Sequence, residues 1–354
     1  SPGRRRPRRH TEIPCSPAGL ASHQPAVVSL HQTRTRPLLL TLITATLLGG
    51  WFSLNSGSVP VEVWDAIQHP QTLNAQVLWE LRLPRTLTAF VTGALLGIAG
   101  ALMQVLLRNP LADPYILGVS GGASVGALLA ILAGAGSLAL QSSAFAGALF
   151  STLLVFSLAH GRGNWDTTRL LLTGVVLAAG WGALISLLLA TSPGTHVHGM
   201  LFWLMGDLSS ATVPVTGSLV LILIALPALF LSASLNLLSG GELKAASLGV
   251  AIGRLRITIY ILASLATATA VTQAGNVGFI GLIAPHILRL TGARDHRVLL
   301  PGVIFLGGTL LLVADALSRL VIAPGQLPVG ILTALIGVPL FLYLLYRSGS
   351  TYDA

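Results

Sequence analysis

Charge is what this sequence has least of. Asp, Glu, Lys and Arg make up 9% of its 354 residues, against about 25% in a soluble domain. Apolar types reach 53% and the mean hydropathy is +0.81, which excludes both a water-soluble globule and a disordered chain. There is a single cysteine, Cys15, so no disulfide and no cysteine-based metal site can form within one chain. There is a single lysine, Lys244, in the run Gly240-Gly241-Glu242-Leu243-Lys244-Ala245. A P-loop needs a lysine after its second glycine, and this run is not one, so the chain carries no nucleotide loop of its own. Carboxylates are also scarce. Asp315 is the clear one inside an apolar run, while Asp113, Glu242 and Asp295 fall between runs. Carriers driven by ion gradients rely on several buried ionisable groups, so a stand-alone secondary carrier is disfavoured. Either another protein supplies the energy or the chain is a passive pore.

What is present is a series of long apolar runs. A bilayer-crossing helix takes about 20 residues, and the stretches between charges give ten candidates: 38–54, 87–107, 114–134, 138–160, 169–191, 213–234, 255–275, 278–291, 298–320 and 329–346. The expected fold is an all-α, polytopic membrane protein with about ten transmembrane helices. Such run lengths exclude a β-barrel. The eighth candidate is short and contains Pro285, so it is expected to tilt strongly or to cross only part of the bilayer under cover of neighbouring protein. Glycines recur inside the runs, at Gly93, Gly97, Gly100, Gly118, Gly121, Gly122 and Gly126. Small residues of this kind let helix backbones approach closely in lipid.

Residues 1–36 carry seven arginines and one glutamate. The net charge of +9 therefore describes a short basic tail more than a nucleic-acid surface, and no nucleic-acid partner is expected. The tail reads as a disordered cytoplasmic segment whose arginines can rest on anionic headgroups. No clean cleavage site follows it, so 38–54 is read as a retained span, and 37–354 as one transmembrane domain. With ten spans and both termini inside, the basic residues divide 17 inside to 3 outside, as the positive-inside rule asks. The three outside are Arg82, Arg85 and Arg319. They are either arginines snorkelling at helix ends or anchors for an acidic partner, and Asp315 stands one helical turn before Arg319, where the two can pair.

Several motifs then stand in a telling order: Leu81-Arg82-Leu83-Pro84-Arg85, Asn109-Pro110-Leu111-Ala112-Asp113-Pro114, Leu117-Gly118-Val119-Ser120-Gly121-Gly122, Gly278-Phe279-Ile280-Gly281-Leu282-Ile283-Ala284-Pro285-His286, Asp295-His296-Arg297, Leu327-Pro328-Val329-Gly330 and Gly337-Val338-Pro339. From about residue 38 to 347 the chain resembles the permease subunits of bacterial type II ABC importers for ferric siderophores, haem and cobalamin, the FecCD-type family. The tail has no counterpart in the resemblance.

That resemblance implies a homodimer in the bacterial inner membrane, multi-pass with both termini cytoplasmic. Two ATPase subunits, which bind ATP and Mg, dock inside, and a periplasmic binding protein delivers cargo outside. The chain itself would hold no cofactor, no metal and no catalytic residue. Arg82, Arg85 and Arg319 match binding-protein docking positions, where bidentate pairing with carboxylates favours arginine over lysine. The loop 236–253, with Glu242, Lys244, Leu248 and Gly249, resembles the coupling segment that seats on the ATPase, with Glu242 and Lys244 expected to face it; a plain amphipathic connector is the bland reading. Asn109, Leu111, Thr167 and Thr168 match a cytoplasmic gate, although Asn109 before Pro110, and Asp166 or Thr167 before the fifth span, also suit helix caps.

The cargo is not named by the spans. His196 and His198 fall in what reads as an outside loop; histidine can ligate haem iron, and the two share a side only if the loop is extended. Two solvated loop histidines are the simpler reading. The expectation is an iron chelate, haem first or a ferric siderophore, with cobalamin as the alternative cargo.

Overall fold

The computed structural model describes residues 29–57, 61–159 and 167–349. Among these there are helices and no strand. In chain order they are α1 (Ser29–Asn55), α2 (Val63–Gln68), α3 (Leu73–Gln76), α4 (Leu83–Leu106), α5 (Val119–Leu132), α6 (Ser137–Ala159), α7 (Thr167–Thr191), α8 (Gly194–Leu204), α9 (Val215–Phe230), α10 (Ser232–Ser239), α11 (Glu242–Ser247), α12 (Ile252–Ala274), α13 (Ile280–Leu290), α14 (His296–Ser318) and α15 (Val329–Gly349). A π-helical stretch, Val77–Arg82, joins α3 to α4, and a 3-10 turn, Pro114–Leu117, precedes α5.

Each of the ten candidate spans falls on a helical segment. Six are long and apolar enough to cross a membrane, α9 and α10 form one bent pair at 63°, and α5, α13 and α15 are shorter apolar helices. α1 begins at Ser29, inside the segment read as tail. Helix α13 has 11 residues, a rise of about 16 Å, so it cannot cross a hydrocarbon core of about 30 Å. Most of its side chains are buried, and surrounding protein satisfies what lipid could not.

Helix α4 is the axis of the bundle. With the π turn before it, the continuous element runs Leu73–Leu106; its α4 part is almost wholly buried, packed against α12, α13 and α14. Its glycines permit this. A methyl group on Gly93 would overlap the Gly307 carbonyl of α14, and one on Gly100 would overlap the Gly281 carbonyl of α13. The same device joins α5 to α6 through Gly122 and Gly147. The lipid is as apolar as the side chains, so close backbone contact supplies the attraction that water expulsion gives a soluble core. Polar ties reinforce the outer layer. The Tyr260 hydroxyl donates to the Thr152 carbonyl at 2.7 Å, and the Trp181 indole donates to Ser151 at 2.9 Å. By contrast α1 and α7 leave most of their apolar surface open.

Gly100→Ala should lower the thermal midpoint of the purified chain, at a cost of about 1–3 kcal/mol from overpacking. Gly50→Ala, with open space around it, should be neutral or slightly stabilising, since alanine favours a helix by about 1 kcal/mol over glycine. Equal midpoints for the two variants would contradict α4 as the axis of close packing.

Candidate functional site

The three arginines set apart by charge counting do come together, at the N-terminal end of α4. The chain reaches them through the π turn. Pro84 has no N–H to offer the carbonyl four residues back, so the ladder widens there, and the Leu83 N–H bonds Leu78 instead. The side chains are not exposed tips, however. Arg82, Arg85 and Arg319 are buried, at 5%, 8% and 6% exposure. Arg85 Nε donates to both oxygens of Asp315, at 2.9 and 3.1 Å, and its Nη2 to one at 2.8 Å. Arg85 Nη1 donates to the Gln326 side-chain oxygen at 2.7 Å. Asp315 therefore pairs chiefly across helices with Arg85. Its same-helix contact with Arg319, the pairing expected from spacing, is longer at 3.3 Å.

Arg319 and Arg82 turn toward the end of α1. Arg319 donates to the Ser56 carbonyl at 2.8 Å and to the Ser53 hydroxyl at 2.8 Å, and Arg82 donates to the Leu54 carbonyl at 2.7 Å. Cations at the carbonyl end of a helix complement its dipole. The arginines thus weld α1, α4 and α14 together, which snorkelling would not do. The guanidiniums also share an opening on one side of this cluster. They line a cavity of about 220 Å³ with Gly57, Ser209 and Gln326.

The other end of α4 holds the candidate gate and coupling segments, about 36 Å away along 24 residues. Arg108 follows α4 in the left-handed region at φ 48°. Asn109 is exposed and its side chain accepts from the Leu111 N–H at 2.9 Å, closing a local turn rather than capping a helix. Leu111 is 39% exposed, Thr168 is exposed, Thr167 begins α7, and Asp166 lies outside the described residues.

The segment 236–253 folds as two short helices, α10 and α11. Gly241 precedes α11 at φ 117° and Gly249 follows it at φ 83°. Lys244 is exposed as expected. Glu242 is not turned outward. Its carboxylate bonds Arg256 of α12 and meets Arg108 at 3.2 Å, because it stands on the face that packs against those cations. Leu243, 91% exposed, and Leu248, 59% exposed, offer the outward surface instead. Neighbouring α10 is fixed by Asn236, which donates to Asp295 at 2.7 Å and accepts from the His296 N–H at 2.9 Å. Burial alone would push the Asp295 carboxyl up, but the N–H of Arg297, the Asn236 amide and the Arg297 charge hold it below the usual carboxylate range.

His196 and His198 lie in α8, a helix and not an extended loop. Two residues apart on a helix, they point about 200° around the axis from each other, so they do not form a paired ligand set. His198 stacks on Phe202 at 4.5 Å. Sequence reasoning missed a small polar cavity of about 70 Å³ lined by Thr88, Gln141, Asp207, Thr272 and Gln273. It also missed Arg108 and Arg256 as partners of Glu242. A carboxylate at a segment boundary with arginines elsewhere in the chain was the available signal. Among the described residues no cluster of three metal-ligating side chains occurs.

Asp315 is fully buried, and its removal leaves two arginines without a counter-charge. Asp315→Ala should cost about 3–5 kcal/mol, read as a large fall in thermal midpoint, whereas Gln326→Ala, losing one hydrogen bond, should cost about 1 kcal/mol.

The FecCD transport family model matches residues 41–347. The chain is 39% identical over 323 residues to the vitamin B12 import system permease protein BtuC of Salmonella typhi, covering 90% of this chain and 97% of that one. It is 40% identical over 316 residues to the BtuC protein of Escherichia coli, covering 88% and 95%. Among solved structures, an inward-facing metal-chelate type ABC transporter aligns with a TM-score of 0.79 at 33% identity, over 88% of this chain and 99% of that one. The PsaBC complex of Streptococcus pneumoniae aligns with a TM-score of 0.52 at 18% identity, over 80% and 95%, and shares the fold alone. A family match across most of the chain, with relatives near 40% identity along almost their whole length, makes this chain a member of the FecCD transport family, a multi-pass membrane permease of the type II ABC importer architecture.

Proposed function

We propose that the chain is the membrane-spanning permease of an ATP-driven importer whose cargo is cobalamin. The carrying observation is the 39% identity to vitamin B12 import permeases over 90% of the chain. This replaces the order of cargoes expected from sequence, in which haem came first. The one local feature that leaned toward haem, the histidine pair, is divided between two sides of α8. A metal chelate is the second reading, favoured by the likeness at TM-score 0.79 to a metal-chelate type transporter.

On this reading the permease works as a homodimer in the bacterial inner membrane, with both termini cytoplasmic. The open apolar faces of α1 and α7 suit lipid and a second copy. Two partner ATPase subunits bind ATP and Mg and meet the exposed Leu243, Lys244 and Leu248 of the coupling segment. A binding protein docks at the other end, its carboxylates meeting the cavity lined by Arg82, Arg85 and Arg319. Asn109, Leu111, Thr167 and Thr168 serve as the gate on the ATPase side. Asp315 sets the positions of Arg85 and Arg319 before the partner arrives, so docking costs little side-chain ordering.

Uptake into proteoliposomes holding the permease, ATPase and binding protein should be greatest for cobalamin, compared with a ferric siderophore and haem. Preferred uptake of either iron compound would overturn the cargo assignment, and uphill uptake without the ATPase would overturn the importer. Arg82→Gln should reduce stimulation of ATP hydrolysis by the loaded binding protein about tenfold, in line with loss of one desolvated charge pair, and should lower the thermal midpoint, at a cost of about 1–3 kcal/mol for the lost bond to the Leu54 carbonyl. Replacing both His196 and His198 with alanine should leave uptake within about twofold, a surface change of the usual small cost.

A further inference from the structure

We infer that Glu242 is a clasp inside the permease, through which displacement of the coupling helix reaches the gate loop, and not a contact for the ATPase. The inference rests on the importer reading for its meaning but on this chain's own geometry for its argument. Helix α11 is poorly attached to the bundle. Of its six residues only Ala245 is buried, while Leu243, Lys244, Ala246 and Ser247 are exposed. Its packing is against α10 and slightly against α12. A polar tie from α11 into the bundle is Glu242, whose carboxylate holds Arg256 on α12 and Arg108 at the end of α4 together.

The two arginines lead to different places. Arg256 stands in the first turns of α12, is 11% exposed, and belongs to a helix packed along α4. Arg108 is half exposed and adjoins the loop 109–113. That loop is closed on itself by the Asn109–Leu111 turn and by the Ala112 N–H bonded to the Asn109 carbonyl at 3.1 Å. It continues into Asp113, which caps the 3-10 turn leading to α5 through the Tyr115 N–H at 2.8 Å. A push on α11 is therefore one ion pair away from a compact loop that carries Asn109 and Leu111. Arg108 closes the end of α4 in the left-handed region, its N–H bonded to the Val105 carbonyl at 3.3 Å and the Asn109 N–H to the Gln104 carbonyl at 3.1 Å. That costs about 1 kcal/mol or more for a side chain with a Cβ; the backbone cap offsets it, and the guanidinium so placed reaches Glu242. Charge-assisted pairs of this kind are the stronger hydrogen bonds.

The test uses the full-length chain in nanodiscs and then the assembled transporter. Hydrogen exchange should quicken about tenfold in both 242–250 and 108–113 when Glu242→Gln or Arg108→Gln is made, and the double variant should add nothing further, as expected for two ends of one contact. Glu242→Asp keeps the negative charge in the first turn of α11 but is one methylene shorter; it should behave like Glu242→Gln in the 108–113 loop. A rise confined to the mutated segment, multiplicative effects in the double variant, or native exchange in Glu242→Asp (a helix-end charge only) would each overturn the clasp. In the reconstituted complex, cobalamin imported per ATP hydrolysed should fall about fivefold or more in both single variants, while nucleotide hydrolysis itself continues. An unchanged ratio in either variant overturns the clasp. Failure of the native complex to import any cargo strikes the importer reading instead, and the exchange result still decides the clasp.

Discussion

Backbone-to-backbone contact along α4 is the constraint on which the rest hangs. In hydrocarbon nothing is gained by hiding leucine from lipid, so helices hold together by touching closely and by satisfying every polar group. Gly93 and Gly97 admit the carbonyls of α14, and Gly100 admits that of α13. Once those axes are fixed, the residues at either end of α4 are fixed too. The Arg85–Asp315 pair forms because α4 and α14 lie this close, and Arg108 reaches Glu242 because α4 stops where it does.

The scarcity of charge makes each charged group specific. Asp315 in apolar surroundings is costly unless its partners are both close and well oriented, and Arg85 meets it with two nitrogens in fork geometry. Arg82 and Arg319 use their donors on the carbonyl end of α1. A cluster that first reads as three outward cations is mostly internal fastening, and it lines a cavity. The same economy recurs at the other end, where a single carboxylate is shared between two arginines.

The apolar runs were readable because run length is a one-dimensional property, and all ten meet helical segments. Short motifs were readable as a set as well, and the structure gives a reason. Gly281 of one motif lies against Pro114 of another, and Gly330 of a third lies beside the Asn276 carbonyl. What could not be read was direction. Residues 194–204 have too few helix signals around Pro193 and Gly194 to distinguish a loop from α8, so the histidine pair was placed on the wrong geometry. Glu242 was expected to face outward because it is charged and adjoins Lys244, yet its long-range partners Arg108 and Arg256 decide otherwise. Burial of Arg85 depends on the return of α14 and the loop after it, more than two hundred residues later in the chain.

The irregular backbone between α12 and α13 has a consequence for motion. Thr92 bonds Gln273 at 3.3 Å and Gly100 meets Gly281, and these two levels on α4 stand about 21 and 9 Å from Leu106. The stretch 275–279 therefore sits near half depth, beside Gly206, Gly330 and the Tyr115 hydroxyl, which donates to the Val277 carbonyl at 3.0 Å. Acyl chains cannot take over such bonds. Any change of shape in the permease therefore has to keep this belt wrapped in protein.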